Sequence, residues 1–284
     1  MSSFKDYLNT YVFETELPGS GDTISFKPVT TGQIKKLLLY ETSNDPMSIE
    51  DSLDDLINEC VIKPNDFDVR KLYLQDRFYL LVEIRKATRG NLYGFQTECT
   101  SCGSQTQQML KLSELTVTTL TKKVEKKSEE VINKQTKKRS LVEKKKEYIK
   151  VPTISIDGWD IVKLNDNISV RLSLVTRNMQ KQAIDMINDK HKGEDISEIQ
   201  KTLELTTVLY GLSIKSIITP EGEEDNLPLE DKIFLLDNIQ QSEQEKISEW
   251  YDKNEFGIDF SFDVECAQCH YKEKKAVPVE NFFY

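Results

Sequence analysis

Four of the five cysteines fall into two pairs of one spacing, Cys99-Thr-Ser-Cys102-Gly103 and Cys266-Ala-Gln-Cys269-His270. A C-x-x-C turn sets two thiolates on one side of a tight loop, where backbone N–H groups can bond the sulfurs. Two such turns facing each other make a closed tetrahedral four-cysteine site, the structural zinc ribbon. A thiolate-only shell with no open position suits structure rather than Lewis-acid chemistry. The residues upstream also match, Phe95-x-x-Glu98-Cys99 against Phe262-x-x-Glu265-Cys266. The two stretches read as paired halves of one unit, and Cys99, Cys102, Cys266 and Cys269 as the ligands of one structural Zn2+ per chain. The 163 residues between the pairs do not prevent this, because the entropy cost of closing a loop grows only logarithmically. They imply a domain whose start and finish are stapled together around a looped-out helical middle.

Other chemistries compete for these cysteines. Redox C-x-x-C sites want a helix starting straight after a strand, whereas both pairs lie between expected strands. Two disulfides would need an oxidising compartment. Cys266–His270 spells the haem-attachment string C-x-x-C-H, a reading that leaves Cys99 and Cys102 unexplained. His270 is more simply the residue after the knuckle, though it could replace a neighbouring ligand, and iron could stand in place of zinc. Cys60 sits on the apolar face of its helix and reads as a small buried hydrophobe.

Little else in the sequence could do chemistry. There are two histidines, His191 and His270, and no G-x-x-x-x-G-K-[ST], H-E-x-x-H or G-x-S-x-G string, so no catalytic residue is assigned and the chain reads as a non-enzyme. Gly19-Ser20-Gly21 follows Pro18 between two alternating stretches and reads as a turn rather than a phosphate loop. The 284 residues are 38% apolar and 30% charged, with no apolar run near the ~20 residues a membrane helix requires. The opening residues have no apolar stretch of the secretory kind, which points to assembly in a reducing cytoplasm. The net charge of −10 argues against wholesale nucleic-acid binding. Residues 121–150 carry +7, leaving −17 elsewhere, and the residues around the second knuckle, 256–284, carry −2, a poor phosphate clamp.

The elements that must position the cysteines follow from periodicity and turn residues, and indicate an α+β chain: a helical body with small antiparallel β elements and a four-cysteine zinc ribbon built from the two distant knuckles. Strands are expected over Tyr11–Leu17 and Thr23–Pro28, then a short helix capped by Thr30 or Thr31 with Ile34, Leu37 and Leu38 inward. A second helix starts at Ser48 and buries Cys60, and a third spans Phe67 to Arg85, ended by Gly90. Further strands are expected over Thr153–Ile156 and Ile168–Leu174, and helices over Asn178–Lys190, Asp195–Tyr210 and Leu229–Ile239. The last helix opens on a Ser242/Glu245 capping box, and Phe256–Val264 with Lys274–Val279 makes a closing hairpin. Phe282-Phe283-Tyr284 is either packed under the ribbon or offered to a neighbouring subunit. The expected division is 1–115 (hairpin, helices, first knuckle), 116–152 (a Lys-rich arm or insertion), 153–255 (a β/helical middle) and 256–284 (the second knuckle, packing with 93–112).

Arg85-x-x-x-x-Gly90-x-x-Tyr93-x-Phe95, then Cys99-x-x-Cys102-Gly103, then Cys266-x-x-Cys269 running through Val277-Pro278 to Phe282-Phe283, resembles the baseplate hub protein family of T-even-like contractile-tailed bacteriophages. The opening hairpin followed by Lys27-Pro28-Val29-Thr30 also looks like that family's start. The resemblance covers roughly residues 10–115 and 155–284. It implies a non-enzymatic part of the virion's tail baseplate, built in the host cytoplasm, that joins the central hub or helps it form. Its partners would be other baseplate hub, tail-tube or tape-measure subunits or further copies of itself, with no membrane, and the acidic balance argues against nucleic acid. The alternatives are a zinc-ribbon nucleic-acid or transcription-related factor and, further off, an enzyme using a thiol or bound metal.

Overall fold

The computed structural model describes residues 11–41, 46–120, 158–193, 196–279 and 282–283. The first half runs β1 (Phe13–Glu16), β2 (Thr23–Phe26), α1 (Thr31–Glu41), α2 (Pro46–Cys60), β3 (Val61–Lys63) and α3 (Leu74–Arg89). It continues through β4 (Leu92–Glu98), β5 (Gln105–Lys111) and β6 (Val117–Thr118). The second half runs β7 (Ile161–Lys163), β8 (Ser169–Leu172), α4 (Arg177–Lys190), α5 (Glu198–Ser213), β9 (Ile214–Thr219) and β10 (Gly222–Glu224). It closes with α6 (Leu229–Asn238), α7 (Gln241–Lys253), β11 (Gly257–Ile258), β12 (Ser261–Glu265) and β13 (Lys272–Ala276). Among the described residues every strand pairing is antiparallel, so the α+β expectation is met. The expected strand at Thr153–Ile156 and the Lys-rich residues 121–150 lie outside the described residues.

A first core gathers Phe26 of β2, Ile57 of α2, Leu80 and Ile84 of α3, Tyr93 and Phe95 of β4, and the chain's end, Phe282 and Phe283. The terminal pair is therefore packed inside, not presented outward. The turn between β1 and β2 docks on α3: the Gly19 and Ser20 amides donate to the Asp76 carboxylate at 2.7 and 3.0 Å. A side chain on Gly19 would strike the Phe256 ring, so this tight approach requires glycine. What resembled a phosphate loop holds a carboxylate of its own chain.

A second core lies between the sheet ordered β10–β9–β8–β7 and α7, with Leu164, Leu172, Ile247, Trp250 and Phe256 at its centre. Leu120 is buried there, its amide donating to Pro18 O at 2.8 Å, and β6 pairs with β11. Residues 116–120 thus belong to the folded body. A smaller cluster around Ala183, Ile187 and Val208 joins α4 to α5.

Several boundaries differ from expectation for identifiable reasons. The third helix begins at Leu74, not Phe67, because Asp68 caps a single 3-10 turn over Val69–Lys71 and Tyr73 then runs extended against Thr176. α2 begins at Pro46, before Ser48. On α1 Leu37 is buried but Leu38 faces out. The capping box of α7 is Gln240 with Glu243, two residues before Ser242 and Glu245, and Glu243 also accepts from Asn165. β7 and β9 flank the expected strand at β8, and β11 leaves the expected closing hairpin to pair with β6.

A buried ion cluster ties α2 and α3 of the first half to α4 of the second. Asp54 of α2, wholly buried, accepts from Arg77 Nε of α3 and from Arg177 Nε of α4, the latter at 2.8 Å. Glu50 completes the Arg77 side, and Gln180 with the Asp51 carboxylate, 3.5 Å away, the Arg177 side.

Candidate metal centre

Each cysteine pair sits at the tip of a two-stranded hairpin, Cys99 and Cys102 between β4 and β5, Cys266 and Cys269 between β12 and β13. The two turns fold alike. The Cys99 amide donates to Ser104 O and the Gly103 amide to Cys99 O, both at 2.9 Å. The Cys266 amide donates to Tyr271 O and the His270 amide to Cys266 O, again at 2.9 Å. Closing such a turn needs a left-handed residue after the second cysteine. Gly103 takes φ 70° at no cost, whereas His270 takes φ 57° against the strain of its Cβ. His270 is exposed, 3.4 Å from the Glu265 carboxylate, and stands outside the cysteine cluster.

The repeated Phe-x-x-Glu-Cys signature has a structural counterpart. Phe95 and Phe262 pack edge to face beneath the two knuckles, with ring centroids 5.1 Å apart. Packed this way, the hairpins bring the four Sγ atoms within 4.8 Å of one another. Across the hairpins Cys99 Sγ lies 3.7 Å from Cys269 Sγ, and Cys102 Sγ 3.6 Å from Cys266 Sγ. A tetrahedron with Zn–S bonds of ~2.3 Å has sulfurs ~3.8 Å apart, so these separations suit a zinc-sized ion. They are far too long for disulfides, and all four cysteines are free.

The proton inventory points the same way. The Ser104 hydroxyl, 3.1 Å from Cys266 Sγ, together with the Cys269 and Gln268 amides, pulls Cys266 down to about 6. Ser104 lowers Cys102 as well. At Cys269 the Tyr271 amide favours the thiolate, but burial and the neighbouring thiols of Cys102, Cys266 and Cys99 outweigh it and push the group up to about 11. Four thiolates this close repel one another, and only a cation among them lets all four ionise together. Cys60 has the opposite environment: burial in the first core pushes its thiol up to about 12, as expected of an inert small hydrophobe.

Two supports were not anticipated from sequence. Ser104 serves both knuckles, yet its equivalent after the second turn is Tyr271, so no repeat marks it. Thr100 donates its hydroxyl at 2.8 Å to Glu273 of β13, tying one tip to the other hairpin.

The resembling motif around Arg85 forms the base of the same assembly. The Arg85 guanidinium donates to Gly90 O, to Leu92 O at 3.0 Å and to Phe282 O at 3.3 Å, and lies over the Tyr93 and Phe282 rings. Tyr93 donates its hydroxyl to Pro278 O at 2.7 Å. The end of α3, the first knuckle's strand and the chain's last residues are thereby locked together.

Among the described residues no helix is long and apolar enough to cross a membrane. No curated protein and no solved structure matches the chain. One family model does, over residues 8–284, running across the Lys-rich segment. With that match over nearly its whole length, the chain belongs to the T4 bacteriophage base plate protein family, structural components of the phage tail.

Proposed function

We propose that this protein is a non-enzymatic structural or assembly component of the baseplate hub, built in the host cytoplasm and stapled by one structural Zn2+. Cys99, Cys102, Cys266 and Cys269 would hold the ion. When bound, it supplies a closed, charge-neutralising crosslink between residues 164 or more positions apart along the chain. The observation that carries the zinc reading is the gathering of four sulfurs from two like-folded knuckles within 4.8 Å of one another. The hub, as opposed to other parts of the baseplate, is supported by the order of the Arg85–Phe95, Cys-x-x-Cys and Phe282-Phe283 motifs. Partners would be neighbouring hub, tail-tube or tape-measure subunits.

Fractionating tail intermediates from infected cells tests both parts. The wild-type chain is expected in hub complexes, and a Cys99→Ser/Cys102→Ser variant should remain largely soluble yet be missing from them. Recovery of the wild type in other baseplate subassemblies alone would overturn the hub assignment. Normal incorporation of the variant would show that the staple is dispensable.

A further inference from the structure

Among the described residues the outer edge of β4 has no partner strand. Register fixes which of its backbone groups face that way: Leu112 N bonds Asn91 O and Cys99 N bonds Ser104 O, so the odd-numbered residues between them pair with β5. The N–H and C=O groups of Leu92, Gly94, Gln96 and Glu98 therefore point off the free edge. Two of these carbonyls are taken by side chains arriving from that side, Leu92 O by Arg85 and Glu98 O by Lys275. Between them Gly94 and Gln96 are exposed, and neither has a backbone partner among the described residues. An unpaired stretch of this kind is a template for another strand.

Gly94 marks the same place independently. A Cβ there would meet Met109 Cε at 3.4 Å and Gln108 O at 3.8 Å, ordinary contacts that the fold accommodates. Glycine in mid-strand costs about 0.5–1 kcal/mol relative to alanine. Nothing among the described residues requires it, and a bare backbone is what a second backbone needs for close approach.

Beside this edge an open groove of about 510 Å3 runs between the end of α3 and the hairpin, with Arg85 and Arg89 on one wall and exposed Leu92 and Met109 on the other. None of its lining residues is acidic. Arg85 is spent on backbone carbonyls, and Arg89 makes no ion pair among the described residues. A cation in the last turn of α3 complements the helix's negative end. That accounts for Arg89's sign but not for two adjacent guanidiniums, without a carboxylate, along a free strand edge in a chain of net charge −10.

We propose that this edge and groove dock an extended, acidic segment of a neighbouring chain. The segment adds as a strand along Gly94–Gln96, sets a carboxylate on Arg89 and lays an apolar side chain against Leu92 and Met109. Backbone pairing supplies the affinity and the groove the choice of sequence. The far edge of the hairpin, along β5, is likewise unpaired among the described residues but carries glutamines and a Lys111 already paired with Glu114.

The test uses the full-length, metal-bound protein and a capped peptide alternating valine and glutamate, followed by amide NMR and hydrogen exchange. Saturable binding that slows the Gly94 and Gln96 amides is expected. Arg89→Glu should weaken it about ten-fold or more, the loss of one ion pair plus a new repulsion. Gly94→Ile should abolish it with the thermal midpoint unchanged or raised. Unaltered Gly94 and Gln96 amides at millimolar peptide would overturn the proposal, as would equal binding of the lysine counterpart. Protection that appears with rising protein concentration alone would assign the edge to a second copy and overturn it too. No baseplate component enters the experiment, so its failure leaves the hub and zinc readings standing.

Discussion

At the cysteine cluster and at Asp54, stretches far apart in the chain meet, and the two joints are built on opposite terms. The knuckles bring four cysteine sulfurs together, with Cys102 and Cys269 exposed and the Phe95–Phe262 contact beneath them. Asp54 joins α2 and α3 to α4 with its two arginines almost wholly buried, and the charges nearly balance within the protein itself. On the zinc reading one joint is held by an outside cation, while the other needs only correct packing. The first should therefore respond to chelators and leave the helices standing. The second should ignore chelators and fail as a unit.

The largest effect is expected from Cys99→Ser/Cys102→Ser. The loss should stay below the ~10–16 kcal/mol of zinc-finger peptides, whose folding and binding are one event, because two apolar cores persist here. It should exceed the ~3–5 kcal/mol of a broken buried ion pair. Hydrogen exchange should rise over residues 96–107 and 264–273 together, while the Arg85 clasp keeps Phe282 docked. Loosening of the first segment alone would mean that the knuckles share no metal.

Next comes Asp54→Ala, which removes the buried carboxylate that two buried guanidiniums share. Urea unfolding should show about 3–5 kcal/mol lost, with the same value whether or not chelator is present. A chelator-dependent loss would mean that the two joints are coupled.

Legibility follows the same divide. The clustering of the cysteines is readable because each pair is local and the flanking Phe-x-x-Glu repeats, so chemistry and spacing sit within a few residues. Asp54, Arg77 and Arg177 carry no such signal: each stands on a helix as an ordinary charged residue, and only the tertiary fold puts them together. The helices of the second half are visible from apolar periodicity, which places the start of α6 at Leu229, where the fold has it. Periodicity starts α3 too early because the apolar residues Val69 and Leu72 continue its pattern through a 3-10 turn and an extended Tyr73. β7 and β6 are three and two residues long, too short for alternation to register. Arg85 stands out as part of a motif, but its carbonyl partners, one of them 197 positions away, are beyond any local pattern.

A buried carboxylate without a cation sharpens the contrast with Asp54. Burial pushes Asp76 up to about 6 in spite of the Gly19 and Ser20 amides. In the unfolded chain it titrates near 4, so between about pH 4 and 6 the folded state holds the extra proton. This contribution is fully present below pH 4 and is lost as pH rises to 6, by about 2–3 kcal/mol, then stays level. The stability difference between wild type and Asp76→Asn should follow that curve. A difference independent of pH would contradict it.

The smallest effect belongs to the second knuckle. His270→Gly removes a left-handed side chain and should raise the stability of the metal-bound protein by about 0.5–1 kcal/mol. A loss of stability would show that the imidazole supports the turn.

The central claim, one closed four-cysteine zinc staple per chain, is tested most directly by elemental analysis of protein purified under reducing conditions without chelator. One zinc per chain is predicted, lost together with the Cys99→Ser/Cys102→Ser substitution. Folded, fully reduced protein carrying no metal would contradict the account, and iron at the same stoichiometry would change only the identity of the ion.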